Sequence, residues 1–215
     1  MNFRPEYLEN TPQFNHSLEG VEGVIFDLDG TLVDSSLDFQ AMKAQIGCPA
    51  DEDIIDYIQK LPSQEARASA HSIVAQHELD DAEQSNWMPG AQALVQQLKR
   101  QSIPMAIVTR NCRQATRIKI KRNRIPIEQI ITREDAPAKP DPTSLIRISA
   151  QWKMASHNIL YVGDHLYDVY AAHRAAMLAC LYVPGKLPVY VNSSDYVCRN
   201  LDLLATALDR TAHLT

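Results

Sequence analysis

Three strand-forming residues, Val24, Ile25 and Phe26, run directly into Asp27-Leu28-Asp29-Gly30-Thr31. The apolar triplet reads as a buried strand. Asp27 and Asp29 fall where that strand ends, and Gly30 frees the backbone to turn. In open α/β sheets, ligands bind at the carboxyl ends of strands. Two carboxylates placed there can hold a hard cation and still offer one oxygen as a nucleophile.

Four further apolar segments read as strands: Met105–Val108, Gln129–Thr132, Ile159–Val162 and Cys180–Val183. Helical patterns separate them. One opens at Pro89-Gly90 with Ala93, Leu94 and Leu98; one opens at Pro142 with Leu145, Ile146 and Ile148; Tyr167 to Ala176 is rich in alanine. This alternation predicts an α/β fold, a Rossmann-like parallel sheet with helices on both faces. Residues 35–86 hold no convincing strand. Phe39, Met42 and Ile46 share one helical face, and Gly47-Cys48-Pro49 ends that helix. Asp51 is placed to cap a second helix containing Ile54, Ile55, Ile58 and Leu61; Pro62-Ser63 leads into a third with Ala66, Ala70, Ile73, Val74 and His77. The expected division is a core of residues 1–34 and 87–215 with a helical module, 35–86, inserted in it.

The 215 residues suit one domain with such an insert, and the net charge of −5 argues against a protein that is basic overall and binds nucleic acid. Cys48, Cys112, Cys180 and Cys198 are scattered without a Cys-x-x-Cys pair, so reduced thiols are expected, not zinc or disulfides. Residues 1–20 are polar, contain Pro5 and Pro12, and lack a signal-peptide pattern; they read as a loose extension on the core. With no apolar stretch long enough to span a bilayer, a cytoplasmic protein is expected.

The first four predicted strands each lead into polar chemistry. Thr109, Arg110 and Asn111 follow the second strand, Lys139 lies in the loop after the third, and Gly163-Asp164-His165-Leu166-Tyr167-Asp168 follows the fourth. In a parallel sheet these ends share one rim. Four aspartates, a hydroxyl and an ammonium there suit an anionic substrate bridged by Mg²⁺.

In that order and spacing the chain resembles the haloacid dehalogenase superfamily, in its phosphatase branch. Asp27-Leu28-Asp29-Gly30-Thr31-Leu32 matches the first motif, Thr109 the second, Lys139 the third, and Gly163-Asp164 with Asp168 the fourth. The insert resembles the small helical cap of the subgroup containing phosphoglycolate phosphatases and β-phosphoglucomutases. The resemblance implies that Asp27 attacks phosphorus and that Asp29 protonates the leaving oxygen and then activates water. It implies Mg²⁺ on Asp27, Asp164 and the backbone carbonyl of Asp29. Thr109, with Arg110 beside it, would hold the phosphate, and Lys139 would offset charge. Asp168 would position Lys139 or a metal-bound water. The substrate implied is a small phosphate ester. A phosphomutase would use the same core, and a binding or scaffold protein on a retired core is the rival from another class.

Two features sit outside these motifs. Residues 110–124 carry Arg110, Arg113, Arg117, Lys119, Lys121, Arg122 and Arg124 with no acid. A solvated helix face is the favoured reading, ahead of a field that steers anionic substrates and of nucleic-acid binding, for which no aromatic residue is interleaved. His165 is expected near the site mouth. In the insert, Gln40, Lys43, Gln64, Arg67 and His71 are the polar candidates for substrate contact, with Lys43 and Arg67 foremost.

Overall fold

The protein, seen in a computed structural model, is described for Leu18 and residues 20–209. The expectation for residues 1–20 therefore lies, apart from Leu18 and Gly20, outside the described residues. Among these, six strands form one parallel sheet: β1 (Gly23–Phe26), β2 (Met105–Val108), β3 (Gln129–Ile131), β4 (Ile159–Gly163), β5 (Leu178–Tyr182) and β6 (Tyr196–Cys198). Their order is β3-β2-β1-β4-β5-β6. β6 was not among the strands read from the sequence; Tyr196–Cys198 is a short segment set between the polar Asp195 and Arg199.

The doubly covered sheet follows from the apolar runs. Strand side chains alternate between faces. Val24 and Phe26 join Leu160 and Val162 in one core, packed with Leu94 and Leu98 of α4 (Ala91–Arg100) and Leu201 and Leu204 of α8 (Leu201–Ala207). Ile25 and Tyr161 point the other way, to Leu145 and Ile148 of α6 (Thr143–Trp152) and Val169 and Ala172 of α7 (Leu166–Arg174). A strand apolar on both faces needs helices on both, which is the Rossmann-like arrangement. Leu94 and Leu98 are fully buried, each contributing roughly 1.5–3 kcal/mol. Ile146, expected inside, is half exposed, because α6 turns that flank outward.

From β1 the sheet grows one way through β2 and β3. It grows the other way through β4 to β6. The reversal falls between β1 and β4, where Ile25 lies beside Tyr161 in register. Ligands bind at such switch points. Gly163 ends β4 because nothing larger fits: a Cβ there would lie 2.5 Å from the Asp168 Cβ. Gly163→Ala should cost about 1–3 kcal/mol from this overlap. A melting temperature equal to wild type would refute that reading.

Three helices lie between β1 and α4: α1 (Phe39–Ile46), α2 (Ile54–Lys60) and α3 (Gln64–Ala82). They share a small core of Met42, Cys48, Ile54, Ile58, Ala70 and Val74. Asp38 caps α1 and Ser63 caps α3. Gly47 ends α1 in the left-handed region at φ 72°. The expected cap of α2 was Asp51; the residue that accepts from Ile55 N and Asp56 N is Asp53. Phe39, expected on the buried face with Met42, is 58% exposed. The two chain passages to the insert run side by side, Asp34 N donating to Asn86 O at 2.8 Å. Among the described residues no helix is long and apolar enough to cross a membrane, and all four cysteines are free and buried.

Candidate active site

Asp27 continues β1 by one residue, its N–H donating to Val162 O of β4 at 2.8 Å. Its Oδ1 accepts from Leu28 N at 2.7 Å and meets Lys139 Nζ at 2.7 Å. Lys139 is buried, and its ammonium also reaches Asp168 Oδ1 at 2.7 Å and Tyr161 Oη at 2.9 Å. Asp168 is fixed in turn by α7. It is the fourth residue of a capping box in which its Oδ2 accepts from His165 N at 2.9 Å. The loop after β3 thus delivers a lysine to a pair of acids carried by β1 and α7.

Asp164 stands at the end of β4, beside Gly30. A Cβ on Gly30 would lie 2.8 Å from the Asp164 Cγ, and its φ is +72°, so position 30 takes glycine on both counts. Asp27, Asp164 and Asp168 each bring a carboxylate oxygen within 4.8 Å of the others. Asp168 has both oxygens committed to Lys139, Tyr161 and His165, which leaves Asp27 and Asp164 as the pair suited to a cation. Burial pushes Asp27 up to about 7, with Lys139 opposing and Asp168 adding to the rise. Burial, then Asp27 and Asp168, push Asp164 up to about 8. Two such groups ionise together only beside added positive charge, and an all-oxygen donor set suits a hard divalent cation.

Thr109 is buried at the end of β2, where its Oγ1 accepts from Asn111 N at 3.1 Å. Asp29 has both carboxylate oxygens occupied, Oδ2 by Asn111 Nδ2 and Oδ1 by Lys119 Nζ. Burial raises its pKa, against the pull of Lys119. All seven residues marked in the sequence, Asp27, Asp29, Thr109, Arg110, Lys139, Asp164 and Asp168, line one cleft of about 570 Å³ between rim and insert.

Arg110 is engaged across that cleft. Its Nη2 bonds both oxygens of Asp53 at 2.7 and 2.8 Å, its Nη1 donates to Lys139 O at 3.0 Å, and its guanidinium lies 4.7 Å from the Tyr167 ring centre. Burial opposes ionisation of Asp53, but Arg110 and the α2 N–H groups more than offset it, so its pKa lies below the ordinary value. Of the insert candidates, Lys43 lines the cleft while donating to Ala50 O at 2.6 Å. Arg67 donates to Leu61 O at 2.6 Å and closes the corner between α2 and α3. His165 lines the mouth, its Nδ1 accepting from Tyr167 N.

The solvated-face reading of residues 110–124 fails at Lys119. Arg117, Lys121, Arg122 and Arg124 are exposed, but Lys119, on α5 (Arg113–Asn123), is 0% exposed. The reason is packing: α5 presents Ala115 and Ile118 to Ala82, Ala75 and Leu79 of α3, and position 119 falls on that face, four residues after Ala115. Lys119 pairs there with Asp29 and with Asp81. A second buried pair, Arg133 with Glu78, fastens the same end of α3, and Glu78 also accepts from Cys112 N. Helical spacing from Ala115 was the available signal for Lys119. Glu78 and Asp81, three apart among alanines and leucine, were the signal for their burial.

Residues 24–181 match the haloacid dehalogenase-like hydrolase family. A haloacid dehalogenase-like hydrolase domain-containing protein of Arabidopsis thaliana is 31% identical over 207 residues, covering 88% of this chain and 84% of its own. A phosphoglycolate phosphatase of Pseudomonas fluorescens is 30% identical over 225 residues, covering 89% and 82%. In structure, a hydrolase from Pseudomonas syringae aligns at TM-score 0.70 and 22% identity over 86% of this chain and 97% of that one. The fold and a family match spanning most of the chain lead to one assignment: this protein belongs to the haloacid dehalogenase-like hydrolases and is a hydrolytic enzyme.

Proposed function

We propose that the enzyme is a Mg²⁺-dependent phosphomonoester hydrolase that works through an aspartyl-phosphate on Asp27. The observation that carries this reading is the buried Lys139 held between Asp27 and Asp168 beside Asp164, at the switch point of the sheet. An Asp27 oxygen attacks phosphorus and the ester oxygen leaves, taking a proton from Asp29. Asp29 then takes a proton from the water that cleaves the acyl phosphate. Thr109 and neighbouring N–H groups orient the phosphoryl oxygens, with Arg110 adjoining them, and Lys139 offsets their charge. Asp168 holds Lys139 in place. Mg²⁺, when bound by Asp27, Asp164 and the Asp29 backbone carbonyl, supplies further neutralisation of nucleophile and phosphate. Residues 35–86 act as the cap that covers the rim, in a cytoplasmic enzyme with reduced thiols. The substrate class is a small phosphorylated metabolite. The phosphatase relative makes phosphoglycolate the first natural substrate to assay, ahead of sugar phosphates and nucleoside monophosphates.

The test is hydrolysis of an aryl phosphate with and without Mg²⁺, joined to melting curves. Chelation should abolish turnover and Mg²⁺ restore it. Ca²⁺ should bind yet support little, through its looser geometry. Asp27 and Asp164 have folded-state pKa values of about 7 and 8, above the ordinary 3.8. The folded protein then holds extra protons between about pH 4 and 8, and stability without metal should fall as pH rises through that window. Metal competes with those protons, so Mg²⁺ should raise the melting temperature more at pH 8 than at pH 6. Full activity in chelator after verified metal removal would overturn the metal assignment.

A further inference from the structure

Lys119 is a fully buried cation that the reaction outlined above does not use. Its ammonium lies between Asp29 Oδ1 and Asp81 Oδ2, the latter at 2.6 Å. Asp81 belongs to the last turn of α3, and its Oδ1 accepts from Ser36 N at 2.6 Å and Ser36 Oγ at 3.0 Å. Its Oδ2 also accepts from Ser35 Oγ at 3.2 Å. Ser35 and Ser36 form the chain passage into the insert, and Asp81 stands just before the passage out. One lysine therefore links the second acid of the rim to both passages.

Packing alone does not account for a lysine here. Buried ion pairs are commonly matched or exceeded in stability by apolar residues of the same volume. What a lysine adds is a directed grip on a carboxylate. Asp29 must sit within reach of the leaving oxygen in one step and of a water in the next, and an error of about 1 Å can cost about a hundredfold in rate. Lys119 has two carboxylate partners, so Asp29 can turn toward the substrate while Asp81 keeps the ammonium paired. Asn111, two residues past Thr109, holds the other Asp29 oxygen. The proton-transfer carboxylate is thus suspended between the phosphate loop and the base of the insert.

We propose that Lys119 is a positioning residue that sets the place of the Asp29 carboxylate and ties it to the insert through Asp81 and Ser36. The proposal rests on Asp29 being the proton-transfer group of the proposed reaction.

The experiment is steady-state and stopped-flow hydrolysis of p-nitrophenyl phosphate by wild type, Lys119→Met, Lys119→Arg and Asp29→Asn. Nitrophenolate leaves with little need of a proton, so formation of the phospho-Asp27 species depends weakly on Asp29, while its hydrolysis depends on it strongly. Lys119→Met should lower kcat and KM together by about 10- to 100-fold, leaving kcat/KM within about threefold of wild type. A burst of about one nitrophenolate per site should precede the slow steady state. Lys119→Arg should recover most of kcat. Asp29→Asn should show the same pattern more deeply. A general loss of fold quality would instead lower kcat/KM without a burst, and that result, or an unchanged kcat, would overturn the proposal. If Asp29→Asn itself turns over normally, the reading of Asp29 falls and the proposal with it. If only Asp29→Asn is impaired, the positioning role alone falls. Should Lys119→Met not fold, Lys119→Gln with Asp81→Asn keeps a hydrogen-bonded pair at the insert base while removing the ammonium from Asp29. The same kinetic pattern is expected of it, and wild-type kinetics would refute the proposal.

Discussion

Asp27→Asn is expected to remove about four orders of magnitude or more of phosphatase turnover while the chain still folds. An amide cannot form the acyl phosphate, and removal of a covalent nucleophile costs on that order. The fold should survive, because the amide oxygen still accepts from Leu28 N and Lys139 keeps Asp168 as its ion partner. The measurement is kcat/KM for an aryl phosphate beside a melting curve. A folded variant with turnover near wild type would remove Asp27 from the nucleophile role.

Lys139→Met should damage both stability and rate. Lys139 is almost wholly buried and holds two carboxylates at 2.7 Å. Burial pulls its pKa down, but Asp168 and Asp27 more than offset this and hold it above the ordinary lysine value. Removing one partner of a buried pair costs about 3–5 kcal/mol, because the carboxylates left behind are uncompensated. Loss of one group aimed at the developing charge should cost a further hundredfold to thousandfold in kcat. Urea unfolding and kinetics separate the two effects. A destabilised variant with unaltered kcat would confine Lys139 to structure.

The centre of this site was legible because its chemistry sits on strand ends. Val24 to Phe26 could only be buried, and a buried parallel strand must stop near the rim, so Asp27, Thr109 and Asp164 acquired positions from the apolar runs before them. Lys139 was placed on the rim by the strand before its loop, but its role came only through the resemblance, since a loop lysine carries no period. Asp53 escaped because a capping aspartate and an arginine far along the chain give no joint signal; only the folded chain sets Asp53 against Arg110. Tyr161 escaped as one more apolar strand residue, although its hydroxyl meets Lys139. Lys119 was misread because a run of like charges reads as solvent-facing, whereas α3 covers that flank of α5 and supplies Asp81 as a counter-charge. The sequence could not announce that pairing without the docking of the two helices.

The position of β1 at the middle of the sheet has a consequence for the order of events during synthesis. Ile25 faces Ala106 on one side and Tyr161 on the other, both far downstream. Non-local pairings form late because distant segments must first be brought together. A nascent chain still on the ribosome carries Asp27 from the start, yet Lys139, Asp164 and Asp168 emerge only with the second half of the polypeptide. Truncated chains released before β4 therefore hold Asp27 without the two acids, Asp164 and Asp168, that stand beside it in the folded protein. On the proposed mechanism such fragments are expected to show no phosphatase activity.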